Sequence, residues 1–144
     1  MGLLRFLSAC AEAISPSAFE QAEEHLRLKH GIDITRIPVP DDTSENNVSF
    51  IMAHLPTPKA QNQKYILVGH SKGVVDLQTA LQYQTLKSAT VALISVAGAV
   101  HGSPLADLPQ GPGVLNKMEI SLGCGGKIIG ALQSLSPARR RNFL

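Results

Sequence analysis

Apolar residues change their spacing several times along the chain, and each change predicts an element. Residues 1–14 have helix-forming composition. Ser15-Pro16-Ser17 then reads as a helix start, with proline near the first turn. Phe19, Ala22, Leu26 and Leu28 give that helix an approximate apolar face, and Gly31 is placed to end it. Ile32, Ile34, Ile37 and Val39 are interleaved with Asp33, Thr35 and Arg36, which predicts a strand stopped by Pro38 and Pro40. Asp41-Asp42-Thr43-Ser44 offers N-caps for a helix carrying Val48, Ile51, Met52 and Leu55, closed by Pro56 and Pro58. Residues 56–63 are polar and proline-containing, as surface loops are.

Tyr65-Ile66-Leu67-Val68 is a short continuous apolar run, the signature of a strand covered on both faces. Residues 74–86 are helical in pattern, with Val74, Leu77 and Leu81 on one face, and residues 91–96 form a second apolar run. The order strand, helix, strand, helix, strand predicts an α/β fold with a parallel three-stranded core and flanking helices. Residues 98–113 are rich in Gly and Pro and read as loop; from Val114 a weak helical pattern is broken by Gly123, Gly125 and Gly126. Ser136-Pro137 starts a final short helix. With 144 residues the whole chain fits one domain. A three-stranded sheet leaves open edges, through which self-association is possible.

Composition narrows the function classes. The chain is 44% hydrophobic and 17% charged, enough for a globular core. Aromatics are only 4%, so Leu, Ile, Val and Ala must build that core. A net charge of +2 is too small to argue for nucleic acid or an anionic membrane, so no nucleic-acid partner is expected, and Arg139, Arg140 and Arg141 read as a solvated helix face. Cys10 and Cys124 fit no metal or redox spacing, and no pair of the five histidines has ligand spacing, so neither metal nor cofactor is expected. No apolar run is long enough to span a bilayer. Leu7-Ser8-Ala9-Cys10 resembles a bacterial lipoprotein cleavage box, but Arg5 interrupts a short apolar stretch, so residues 1–14 read as an ordinary helix and the compartment is left open.

The chemistry concentrates at Gly69-His70-Ser71-Lys72-Gly73, a G-x-S-x-G pattern entered by a buried-type strand and left by a helix. In that context a sharp turn strains the serine backbone and lifts its hydroxyl clear of the sheet. Gly69 and Gly73 are expected to supply missing bulk where neighbouring segments approach. Ser71 would be a nucleophile beside a helix N-terminus, and the Lys72 backbone N–H an oxyanion donor. His70 would pack beside the turn. The alternative is a serine that merely joins a strand to a helix.

The stretch YILVGHSKGVVDLQTAL resembles the nucleophile elbow of lipase-like α/β-hydrolases. LISVAGAVHGSPLADL resembles the next strand and its GSP-L-AD loop, and ALQSLSPARRRNFL a segment downstream. The resemblance covers roughly the second half of the chain. It implies a partial α/β-hydrolase fold and a serine hydrolase acting on carboxylic esters with an apolar, lipid-like acyl part. Val74 stands where these enzymes commonly carry Gly, and His101 where a small residue is common; both are expected to narrow the pocket mouth.

A serine hydrolase also needs a base and an orienting acid, in the order Ser, Asp or Glu, His. After Ser71 the acids are Asp76, Asp107 and Glu119, and the one later histidine is His101. Asp76 should face a neighbouring segment rather than a base. In the resembled family the base comes from a late loop, past where this chain ends, and the second oxyanion N–H from an early strand. The expectation is thus a central portion of that domain, and the rival reading is a catalytically incomplete derivative that acts as a binding protein. A nucleotide-binding fold is disfavoured because no G-x-G-x-x-G turn follows a strand.

Overall fold

The computed structural model describes residues 20–57, 63–107 and 128–142. The helix expected over 1–14, the Leu7–Cys10 box, both cysteines and the segment from Val114 to residue 127 lie outside the described residues.

Helix α1 (Glu20–His30) opens on Glu20 and Glu23 and closes on Arg27, Lys29 and His30, the charge order that suits a helix dipole. Gly31, at φ 61, ends it. No residue of α1 is buried, so the expected apolar face is not used among the described residues. Arg36 ties the following segment back to α1 through both carboxylate oxygens of Glu23, at 3.0 and 2.9 Å.

Residues 31–40 form no strand, which corrects the expected three-stranded core. The physical reason is in the spacing. Ile32 and Ile34 share one parity and Ile37 and Val39 the other, so an extended chain would split them between two faces. Pro38 and Pro40 also lack the N–H a ladder needs. Ile32 accordingly lies exposed.

Helix α2 (Ser44–His54) is capped by Thr43, whose hydroxyl accepts the Asn46 N–H at 3.2 Å. It buries Ser44, Asn47, Val48 and Ile51. Strand β1 (Tyr65–His70) leads through Ser71 into α3 (Lys72–Ala80). A short helix α4 (Gln84–Ala89) leads into β2 (Thr90–Val96). The two strands pair in parallel, with Leu67 opposite Leu93, Val68 opposite Ile94 and His70 opposite Val96. Leu67 and Leu93 face the core, where Val48, Ile51, Ala80 and Leu86 meet them. The opposite sheet face carries Ile66, Val68 and Ile94, all exposed among the described residues, so the expected cover on both faces is found on one.

After β2 the chain turns through Ala97–Ser103 into a 3-10 turn (Pro104–Asp107). Helix α5 (Ile128–Ser134) and helix α6 (Pro137–Arg141), with Pro137 in its first turn, follow. Val75, Ala106 and Leu135 form a second small core that fastens this end to α3. Arg140 is 2% exposed, whereas Arg139 and Arg141 are exposed, so the basic run is not one solvated face. Successive helix residues point about 100° apart, and here the middle arginine of the three is the one turned inward. No helix among the described residues is long and apolar enough to cross a membrane.

Candidate active site

Ser71 sits at the junction of β1 and α3 with φ 53 and ψ −121. A non-glycine residue at positive φ costs on the order of 1–3 kcal/mol, so its neighbours must hold it there. They do so through its own backbone. The Ser71 N–H donates to Val96 O at 3.1 Å, extending the β1–β2 ladder by one residue. The Ser71 carbonyl accepts from Ala99 N–H at 3.2 Å and from Val74 N–H at 3.3 Å. Ala97, at φ 48, is the other non-glycine residue at positive φ among the described residues. Two strained residues thus sit side by side at the carboxyl ends of the paired strands.

The bend is tight enough to exclude side chains on one side. A Cβ on Gly69 would stand 2.8 Å from both Cα and N of Val74, and backbone cannot move aside. Gly73 differs from expectation: nothing lies within 4 Å of its added Cβ, so it removes no clash. The glycine that complements Gly69 is Gly98, whose added Cβ would meet Ser95 Oγ and the Val74 side chain. Val74 is 1% exposed and fills the space beside Gly98, so it lies beneath the turn rather than at a pocket mouth.

At the start of α3 the Ser71 hydroxyl makes no capping hydrogen bond. Neither Lys72 N–H nor Gly73 N–H has a backbone acceptor among the described residues. The turn therefore offers a hydroxyl, two open amides and the positive end of a helix dipole in one place, a setting suited to developing negative charge.

Asp76 lies one turn on, 2% exposed. As expected it faces a neighbouring segment: its carboxylate accepts Ser44 Oγ at 2.6 Å, Asn47 Nδ2 at 3.0 Å and Lys72 Nζ at 2.6 Å. The amide of Asn47 also donates to Pro40 O at 3.0 Å, while its Oδ1 is buried with no partner. Ser134 Oγ accepts the Ser44 N–H at 2.8 Å, which ties α5 to the same cluster. Burial pushes the nearby Asp41 carboxyl above its ordinary value; Lys72 opposes the shift and the Asp76 charge adds to it.

The loop after β2 is held from its far side. Arg140 Nε donates to Val100 O at 3.0 Å and its Nη2 donates to Gln78 Oε1. Burial lowers the pKa of that guanidinium. Ser103 N–H donates to Leu135 O at 2.8 Å. Gly102, at φ 92, lets Leu135 O and Pro137 approach to 2.6 and 2.9 Å of its missing Cβ.

His101 lies exposed in that loop, on the sheet edge that carries Ser71, and no hydrogen bond joins it to Ser71. His70 ends β1, half-buried and paired in register with Val96. His54 stacks on Phe50, and His25 faces His30 with ring centroids 5.8 Å apart, both pairs on helices α2 and α1. No group of three or more metal-ligating side chains occurs among the described residues. A groove of about 480 Å³ runs along Gln78, Leu81, Lys87 and residues 90–93, on the outer edge of β2 and apart from Ser71. The parts that Gly98 and Ala97 play are not legible in the G-x-S-x-G pattern, and Arg140, expected on a solvated face, is buried instead. Gly98 has one legible signal, a glycine two residues past the apolar run that ends at Val96.

No protein-family model matches this chain, and no curated protein matches it. Among solved structures it is similar to the crystal structure of the metagenomic carboxyl esterase MGS0156. The TM-score is 0.58 and the identity 39%, over 72% of this chain and 32% of that one. The chain thus spans about a third of the length of that esterase. A partial α/β fold with a small parallel sheet, of the kind an esterase contains, is therefore the architecture of this chain.

Proposed function

We propose that Ser71 is the nucleophile of a hydrolase that cleaves carboxylic esters with an apolar acyl part. Its Oγ bonds to the ester carbonyl carbon as its proton passes to a base, and the carbonyl oxygen becomes an oxyanion. The Lys72 N–H, with the helix dipole behind it, receives that charge; one such donor is worth about 3 kcal/mol in comparable sites. The alcohol departs with a proton, water attacks the acyl-serine, and the acid is released. His101 is the base this reading assigns, since it stands on the Ser71 edge of the sheet and follows it in the chain. The observation that carries the reading is Ser71 at φ 53, uncapped, between a parallel strand and a helix. The likeness to a carboxyl esterase supports it. The test is hydrolysis of p-nitrophenyl esters of graded acyl length by the full chain. Turnover that Ser71→Ala abolishes supports the reading; turnover that survives Ser71→Ala rejects it.

One observation favours a second reading. Ser71 Oγ has no hydrogen bond to any of the described histidines, and a relay needs contact near 3 Å, though such contacts loosen without ligand. A derivative that binds an ester or lipid-like ligand without cleaving it would show saturable binding and no turnover.

A further inference from the structure

Lys72 occupies a position where a helix least accommodates a cation. It is the first residue of α3, at the positive end of the dipole. The same turn also lacks the usual side-chain cap. An N-cap serine needs extended backbone to reach the amides behind it, and Ser71 at φ 53 and ψ −121 does not have it. Two local penalties coincide beside the hydroxyl that must stay free to react. Such conflicts persist where another contact offsets them.

Asp76 supplies that contact. It takes the Lys72 ammonium at 2.6 Å across one turn of helix, with the Lys72 side chain 11% exposed and that of Asp76 3%. Its other two donors, Ser44 and Asn47, belong to α2 and are themselves 2% and 0% exposed. The carboxylate is therefore fixed from a second helix and cannot follow Lys72 if the first turn frays.

We infer that Asp76 is a positioning residue for the Ser71 site, holding Lys72 and thereby residues 71–74 in place of the cap that Ser71 does not give. Ser71 keeps its hydroxyl free because the turn is clamped from below. The Lys72 and Gly73 amides keep their aim for the same reason. The catalytic consequence rests on Ser71 being the nucleophile; the clamp itself does not.

The test uses the full chain with Lys72→Met, Asp76→Asn and the double variant. Amide exchange is followed at Val74 and Ala99, the two donors to the Ser71 carbonyl, with Ile51 in α2 as reference. In parallel, the second-order rate of Ser71 labelling by a fluorophosphonate is measured where each variant is folded. Lys72→Met leaves Asp76 its α2 donors, so a loss confined to residues 71–74 is expected. Val74 exchange should rise on the order of tenfold relative to Ile51. Labelling should slow on the order of tenfold, since small misplacements at a reacting group cost that much or more. The double variant should label no more slowly than Asp76→Asn alone, because both act through one contact. Unchanged exchange at Val74 and Ala99 in both single variants, with only the melting temperature lowered, overturns the inference. If wild type resists labelling while the variants still lose protection at Val74, the clamp stands and the nucleophile reading fails. If wild type is labelled and the variants label and exchange as it does, the nucleophile stands and the clamp fails.

Discussion

Val74 Cγ2 stands 2.7 Å from the point where a Cβ on Gly98 would be built, so the first turn of α3 and the loop after β2 share a single space. The side chain and the missing side chain are complementary. Gly98→Ala is expected to destabilise the fold by about 1–3 kcal/mol in urea unfolding, the usual cost of overpacking a tight contact. Val74→Ala in the Gly98→Ala background should recover part of that loss, although Val74→Ala alone is destabilising. Additive losses in the double variant would contradict shared occupancy.

The two glycines of the G-x-S-x-G pattern should separate. Gly69→Ala forces a Cβ to 2.8 Å from Val74 backbone and should lower stability by more than about 1 kcal/mol. Gly73 has open space around its missing side chain and a helical conformation. Gly73→Ala should leave the fold as stable as wild type or up to about 1 kcal/mol more stable, through helix propensity. Thermal melts of the two variants decide this.

These contrasts mark what the sequence made legible. The strand, turn and helix at 65–80 are legible because an apolar run, glycines and a helical repeat follow one another directly, all local signals. The strand over 32–39 was not, because alternation was read across Ile34 and Ile37, where the parity slips. The partners of Asp76 were hidden for a different reason: Ser44 and Asn47 lie 32 and 29 residues earlier, and only packing of α2 on α3 brings them together. The burial of Arg140 is not legible in a run of three arginines, because it depends on Val100 O and Gln78 Oε1, acceptors distant in the chain that only the fold brings to it. The second close approach at the turn is at Gly98 rather than at Gly73, and it comes from Ser95 and Val74, which the five-residue pattern does not include.

Arg140 holds the loop that contains His101. Arg140→Met removes the donors to Val100 O and Gln78 Oε1 and leaves two half-buried acceptors without them. A loss of about 2–4 kcal/mol is expected from denaturant unfolding. Arg140→Lys should restore only part of it, because one ammonium cannot reproduce the planar fork that reaches both acceptors.

Asp41 gives the fold a pH dependence of definite sign. Its pKa is raised in the folded state, chiefly by burial. The native protein therefore binds that proton more tightly than the unfolded chain. This contribution is fully present below the unfolded pKa and is lost as pH rises through the folded one. Asp41→Asn, which cannot ionise, should melt higher than wild type at pH 7. The difference should shrink toward zero as pH falls below the ordinary aspartate range, as calorimetry at both pH values would show.

The Ser71 hydroxyl is expected to be the reactive group of the folded chain. Intact-mass measurement of the folded chain after exposure to a fluorophosphonate tests it most directly. A single adduct that maps to Ser71, and is absent from Ser71→Ala, is the result expected. A folded chain that takes up no adduct, or carries it on another serine, contradicts the claim.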